Sequence, residues 1–136
     1  MDCPCGSGNT YDRCCEPFIR GESHPESAEQ LMRSRYSAYA LGRVDYLLDT
    51  WHPATRPASL EWDPPRLKWL GLQVRRHERI DDTHALVEFV ARSKLAGRAH
   101  RLHETSRFVH EDGRWYYVSG DLGAQESVGT STPTDS

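Results

Sequence analysis

The sequence predicts an α+β protein, in which helices pack on a curved antiparallel sheet and a small metal knuckle precedes both. Three observations predict it. The apolar spacing is helical between residues 27 and 51 and becomes strand-like from residue 67. Turn-forming residues interrupt the second stretch at short intervals, as consecutive hairpins require. All four cysteines fall within the first fifteen residues, apart from everything else.

The bounds are simple. A chain of 136 residues suits one compact domain with small appendages and buries a core without disulfide staples. Net charge is -3, which disfavours a general nucleic-acid binder or a polybasic membrane anchor. The charge is uneven, with 15 Lys and Arg against 11 Asp and Glu over residues 31–114 and acidic ends on both sides. The start, Met1-Asp2-Cys3-Pro4, has neither a basic segment nor an apolar one, so no secretory signal is expected. No apolar run approaches the roughly 20 residues of a membrane span. The expected compartment is the cytoplasm, where cysteines stay reduced unless a metal or catalysis claims them.

The cysteines lie in Cys3-Pro4-Cys5-Gly6-Ser7-Gly8-Asn9-Thr10-Tyr11-Asp12-Arg13-Cys14-Cys15. Zinc takes four thiolates in a closed tetrahedron, and the glycines Gly6 and Gly8 allow the sharp turn that folds one pair onto the other. The second pair is expected at the start of a helical turn. Two disulfides across the loop, or a redox-active thiol pair, are the alternatives. Bridges within each pair would close very tight rings, and C-x-C with C-C is not the usual redox spacing. A closed four-thiolate site implies one structural Zn2+ per chain.

Residues 17–26 form a turn-rich linker, with Phe18 and Ile19 as a latch onto the main domain. Ser27-Ala28-Glu29-Gln30 is a capping box that opens a helix ending at Leu41, with Gly42 as its left-handed cap. Leu31, Met32, Tyr36 and Tyr39 are its expected buried face, and Arg33 and Arg35 fall on other faces. Val44, Leu47, Leu48 and Trp51 give a second helix over 44–51, stopped by Pro53. Residues 56–65 are an irregular connection broken by three prolines. Strands follow over 67–80, 85–92, 100–110 and 115–119, the last pair joined at Glu111-Asp112-Gly113. Short connections make these an antiparallel meander. The tail, 121–136, is poor in bulky apolar residues and is expected to be disordered.

Cys3-Pro4-Cys5-Gly6-Ser7-Gly8 with Tyr11 and Cys14-Cys15 resembles the SEC-C zinc motif, named for the carboxyl-terminal tail of the SecA ATPase. The resemblance implies Cys3, Cys5, Cys14 and Cys15 as ligands, with Cys15 where SecA usually has histidine. In SecA the motif binds the chaperone SecB and the ribosome with the help of lysines between the cysteine pairs. This chain has only Arg13 as a base there, so those partners are not expected to transfer.

The remaining blocks resemble the YchJ family: Leu31-Met32-Arg33-Ser34-Arg35-Tyr36, Asp45-Tyr46-Leu47, Thr50-Trp51-His52-Pro53, Trp69-Leu70-Gly71-Leu72, Val87-Glu88-Phe89-Val90-Ala91-Arg92, Ser106-Arg107-Phe108 and Gly113-Arg114-Trp115-Tyr116-Tyr117. The match runs in order from Cys3 to Gly120. It implies a SEC-C motif over 1–16 joined to a nuclear-transport-factor-2-like cone over 27–120, without implying a particular reaction. A second, carboxyl-terminal SEC-C motif, present in some relatives, is not expected in this tail.

Cones of this type enclose a pocket between sheet and helices. Arg35, Trp51, His52, Trp69, Glu104, Arg107, Trp115 and Tyr117 are the candidate pocket residues. Glu104 and Arg107 stand three apart on a strand and so point to opposite faces, while Arg35 and Glu104 are expected to pair between helix and sheet. His100, His103 and His110 do not share a ligating geometry and are expected at the surface. Two functions follow. The first is a non-catalytic binding or adaptor protein that holds a protein partner or small ligand. The second is an isomerase- or dehydratase-like enzyme acting on a small apolar substrate. A homodimer through the sheet is compatible with the fold.

Overall fold

A computed structural model describes residues 2–58 and 67–122. A 3-10 turn at Tyr11–Arg13 leads into the short helix α1 (Glu16–Ile19), followed by α2 (Ala28–Leu41) and α3 (Val44–Asp49). Four strands follow, β1 (Leu67–Arg79), β2 (His84–Leu95), β3 (Arg98–Glu111) and β4 (Arg114–Leu122), in one antiparallel sheet of order β1-β2-β3-β4. The expected α+β meander is therefore present. The expected connection over 56–65 and the tail over 121–136 fall largely outside the described residues, although β4 runs two residues into the latter. Among the described residues, no helix is long and apolar enough to cross a membrane.

Each helix boundary has a local cause. Ser27 Oγ accepts from Gln30 N at 3.1 Å and Gln30 Oε1 accepts from Glu26 N at 2.7 Å, which satisfies amides that the first turn of α2 leaves open. Gly42, at φ 79°, ends the helix in the left-handed conformation. Helix α3 is shorter than its apolar stripe suggested. The chain leaves helical geometry at Thr50 because Trp51 bridges to Tyr117, with Tyr117 N donating to Thr50 O and His52 N to Tyr117 O, each at 2.8 Å. The expected linker contains α1, and Ile19 buries at 5% exposure with Phe18 packed beside it.

Two-residue turns set the sheet register. Ala96 and Gly97 lie at φ 51° and 82°, and Asp112 and Gly113 at 53° and 82°, the signature of the turn whose twist matches antiparallel strands. The Ala96-Gly97 turn is tighter than the expected connection over 93–99, so β2 and β3 both run longer than their apolar alternation indicated. Between β1 and β2, Asp81 Oδ1 accepts from Thr83 N at 2.8 Å and from the Thr83 hydroxyl at 3.2 Å. Register shifts at Trp69/Gly71, Val74/Arg76 and Arg107/Phe108 are bulges that bend the sheet. Leu70, the extra residue of the first, projects outward at 58% exposure.

The core lies between α2 and the concave face of the sheet. Leu31, Met32, Tyr36 and Ala38 meet Val87, Phe89, Ala91 and Phe108, and the cysteine cluster continues the same core. Arg35 is buried, as its expected place between helix and sheet requires, and Ser34 and Ser37 of α2, which the sequence pattern did not single out, are buried as well.

Ala96 is the costly turn residue, since a left-handed conformation disfavours Cβ by about 1–2 kcal/mol. Ala96→Asn is expected to stabilise the protein by about 0.5–1 kcal/mol. A thermal melt should show a rise of a few degrees with unchanged far-UV circular dichroism.

Candidate metal centre and cone pocket

The knuckle is built by a backbone clasp. Asp2 and Thr10 form an antiparallel bridge, Cys3 N donates to Asn9 O at 2.9 Å, and Gly6 N donates to Cys3 O at 3.2 Å. Gly6 and Gly8 take φ 78° and 92°, a region L side chains enter only under strain. The 3-10 turn and the start of α1 then present Cys14 and Cys15 to the first pair. The four sulfurs all lie within 4.8 Å of one another, with Cys5 to Cys14 at 3.6 Å and Cys14 to Cys15 at 3.8 Å. A metal–sulfur bond of about 2.3 Å in a tetrahedron sets sulfur–sulfur edges of roughly 3.8 Å. The cysteines are free thiols, and their spacing is that of ligands around an ion.

The electrostatics agree. Hydrogen bonding from Cys15, assisted by Ser7, Cys3 and Cys14, holds the Cys5 thiol down to about 4 against the opposing effect of burial. The Cys5 thiolate and burial push Cys15 up, and burial pushes Cys14 up to about 11. The Cys5 thiolate is thus favoured by its neighbours, while further negative charge on Cys14 and Cys15 is opposed. A divalent ion would remove that opposition and release the protons.

Helix α2 supplies the outer contacts. Ser37, fully buried, stands 3.5 Å from Cys3 Sγ, and Arg33 Nη1 donates to Cys5 O at 2.9 Å while its Nε donates to Glu29 at 3.1 Å. Burial opposes the Arg33 charge, but side-chain hydrogen bonding with Glu29 and with the Cys5 sulfur outweighs it and raises its pKa. From the other side, a Cβ on Gly6 would meet Leu72 O of β1 at 3.3 Å. The knuckle is therefore wedged between α2 and β1.

On its opposite side α2 lines a pocket of about 240 Å³ against the concave sheet. The structure brings together four of the eight candidate pocket residues, Arg35, Trp69, Glu104 and Tyr117. Arg35 is buried at 3% exposure, and its Nη1 donates to Leu47 O and to Thr50 Oγ1, each at 2.8 Å. Its guanidinium carbon lies 4.4 Å from the ring centre of Tyr117 and 5.2 Å from that of Trp51. Burial lowers the Arg35 pKa, with the charges of nearby groups, Glu104 among them, acting in the other direction. The expected direct pairing of Arg35 with Glu104 is replaced by neutral acceptors at the end of α3, where a cation also meets the negative end of the helix. Glu104 accepts from the Ser106 hydroxyl at 2.7 Å.

The other four candidates lie elsewhere. Trp51 packs edge-on against Tyr117 at 5.0 Å, behind the pocket wall. His52 points to the outer side, where Ala54 N donates to its Nδ1 at 3.0 Å and its Nε2 meets Glu111 at 2.9 Å. Arg107 is exposed on the convex face, as strand alternation requires. Trp115 faces the core but pairs with His110, six residues and roughly 20 Å along the strand from Glu104. Met32, Tyr36, Tyr39, Phe89, Ala91, Leu102 and Ser106 complete the wall. Leu102 and Ser106 share strand parity with Glu104, and Ala91 and Phe89 sit across from Leu102 and Glu104, so that part of the lining was available from register alone. Of the three histidines, His103 meets Glu88 at 2.6 Å on the convex face and His110 packs on Trp115 at 5.1 Å.

Comparison with known proteins agrees with this geometry. The chain matches the family profile described as YchJ, middle NTF2-like domain over residues 27–120, and the SEC-C motif over residues 2–17. It is 60% identical over 131 residues to UPF0225 protein RSc0270 of Ralstonia nicotianae, covering 88% of this chain and 90% of that one. It is 59% identical over 126 residues to a UPF0225 protein of Cupriavidus metallidurans, covering 88% of each. The solution structure of RPA3114, a SEC-C motif containing protein from Rhodopseudomonas palustris, superposes with a TM-score of 0.80 at 36% identity, covering 91% of this chain and all of that one. A SEC-C motif containing protein from Psychrobacter arcticus gives 0.74 at 28%, covering 91% and 84%.

Hydrogen bonds around metal ligands typically hold 10–100-fold in affinity. Ser37→Ala is expected to weaken metal binding about tenfold, read by competition with a chromogenic chelator. Arg20→Ala, on an exposed side chain, should leave it unchanged.

Proposed function

The chain belongs to the YchJ family, and from that premise we propose that it is a non-catalytic binding protein of the cytoplasm, with a structural zinc that braces a small-ligand pocket. Cys3, Cys5, Cys14 and Cys15 hold one Zn2+ per chain. Four thiolates suit this ion and leave it no open position, so it supplies stability rather than a reacting centre.

The observation that carries the reading is that α2 serves both sites. Ser37 and Arg33 face the cysteines while Met32, Arg35, Tyr36 and Tyr39 face the pocket. An ion that fixes the helix from one side fixes the pocket wall on the other. Binding is favoured over catalysis by the polar groups of that wall. Arg35 is immobilised by two hydrogen bonds, Glu104 by Ser106, and no histidine, cysteine or lysine lines the pocket among the described residues. A specific observation favours the enzymatic alternative: Glu104 stands in a mostly apolar pocket, where a carboxylate can serve as a general base. That reading requires turnover that Glu104→Gln abolishes without abolishing binding.

Native mass spectrometry on protein purified without added metal tests the zinc. One zinc per chain is expected, absent from Cys14→Ser and Cys15→Ser. A metal-free chain with the mass deficit of two disulfides would overturn the reading, and with it the assignment to the cytoplasm.

A further inference from the structure

We propose that the cone pocket selects a flat, uncharged heterocycle bearing a carbonyl beside a ring N–H, as in a cyclic amide or a pyrimidine base. The carbonyl faces Arg35 and the N–H faces Glu104. This inference rests on the small-ligand reading above and adds the chemical class of the ligand.

Charge comes first. The pocket contains one guanidinium and one carboxylate, and among the described residues Arg35 forms hydrogen bonds only to neutral acceptors. A carboxylate ligand would gain from Arg35 but face Glu104, and an ammonium ligand would meet the reverse. Transfer of a net charge into a largely apolar cavity is costly on top of that. A neutral ligand escapes both penalties and can still use both groups.

Hydrogen-bond capacity narrows the class. Arg35 is a pure donor whose two recorded bonds both leave from Nη1, so Nε and Nη2 remain to donate to a ligand acceptor. Glu104 is a pure acceptor when ionised. The Ser106 hydroxyl donates to its Oε2, and a carboxylate accepts from several donors at once. A donor and an acceptor lining one small pocket are met together by a ligand that carries an acceptor and a donor on one edge. Cyclic amides and pyrimidine bases carry that edge in a rigid plane.

The walls narrow it further. Trp69 meets Tyr36 at 5.6 Å and 73° and Tyr39 at 6.1 Å and 53°, and Phe89 and Tyr117 add two more rings. Aromatic walls favour a flat partner by stacking or edge contact. A volume of about 240 Å³ lies below the roughly 300 Å³ at which drug-sized sites begin, which suits one or two rings. Both polar groups are already placed. Two bonds and two aromatic faces fix Arg35, and the Glu104 carboxylate lies directly against Gly120, where any Cβ would collide with it.

The test is an NMR titration of the full-length, metal-loaded, isotope-labelled protein with uracil, benzoate and benzylammonium. Uracil is expected to shift amide signals of Ala91, Leu102, Ser106 and Tyr117 saturably, and to bind about tenfold tighter than either charged probe. Glu104→Gln should weaken uracil about tenfold and strengthen benzoate, because the pocket then carries only the Arg35 charge. Gly120→Ala, which displaces Glu104 while the zinc stoichiometry stays intact, should weaken uracil in the same sense. Tightest binding by benzoate or benzylammonium at these residues would overturn the inference and leave the small-ligand reading standing. No shift at the pocket with any of the three probes would overturn both.

Discussion

Helix α2 has almost no side left for solvent between Leu31 and Ala38, and the rest of the structure answers to that constraint. A helix sandwiched in this way must satisfy every polar group it carries or lose stability. Ser34 does so by bonding Leu31 O at 2.8 Å and the Tyr46 hydroxyl at 2.7 Å. Ser37 does so at the cysteine sulfurs, and Arg35 at the open carbonyl of α3 and between two aromatic rings. Each solution fixes another element. The knuckle, α3 and β4 are held in place by what α2 needs, and Cys3, Cys5 and Cys15 are as deeply buried as the aliphatic core.

The sheet supplies the complementary feature. A flat four-stranded sheet would close tightly on α2. Bulges at Leu70 and along β4 curl it instead, and the curl leaves a cavity at the end where Trp69, Leu102 and Glu104 lie. At the other end Phe108 and Trp115 fill the space. Tyr36 marks the border, with burial pushing its hydroxyl up to about 12 and the nearby Gly71 backbone acting the other way. The edge contact of Tyr36 with Trp69 at 5.6 Å ties α2 to the bulged segment of β1, so the curvature and the helix position are set together.

Much of this was legible in the sequence, for identifiable reasons. Cysteine chemistry is local, and a C-x-C, eight residues and C-C with glycines between leaves few arrangements. The hairpins were legible because Asp112-Gly113 encodes its own backbone conformation, and the opposite facing of Glu104 and Arg107 follows from strand alternation. Arg35 was legible as a pocket residue but its partners were not, because Leu47 O and Thr50 Oγ1 come within reach only through the way α3 docks on α2. His52 sits before a proline at a helix end, where no period assigns a face. Its direction is set by the bridge from Trp51 to Tyr117, 66 residues apart in the chain. Trp115 has the right face and the wrong end, a distinction that strand parity does not make. The burial of Ser37 against the cysteines was beyond pattern reading, since it depends on where the knuckle docks.

The central claim is that knuckle and cone form a single body joined through α2. Hydrogen exchange by mass spectrometry, compared between zinc-loaded protein and protein stripped by a chelator, tests it most directly. The account predicts that zinc loss removes protection from residues 2–20 and equally from residues 31–41 of α2 and the segment of β1 around Leu72. Loss of protection confined to residues 2–20, with α2 and β1 unchanged, would contradict it.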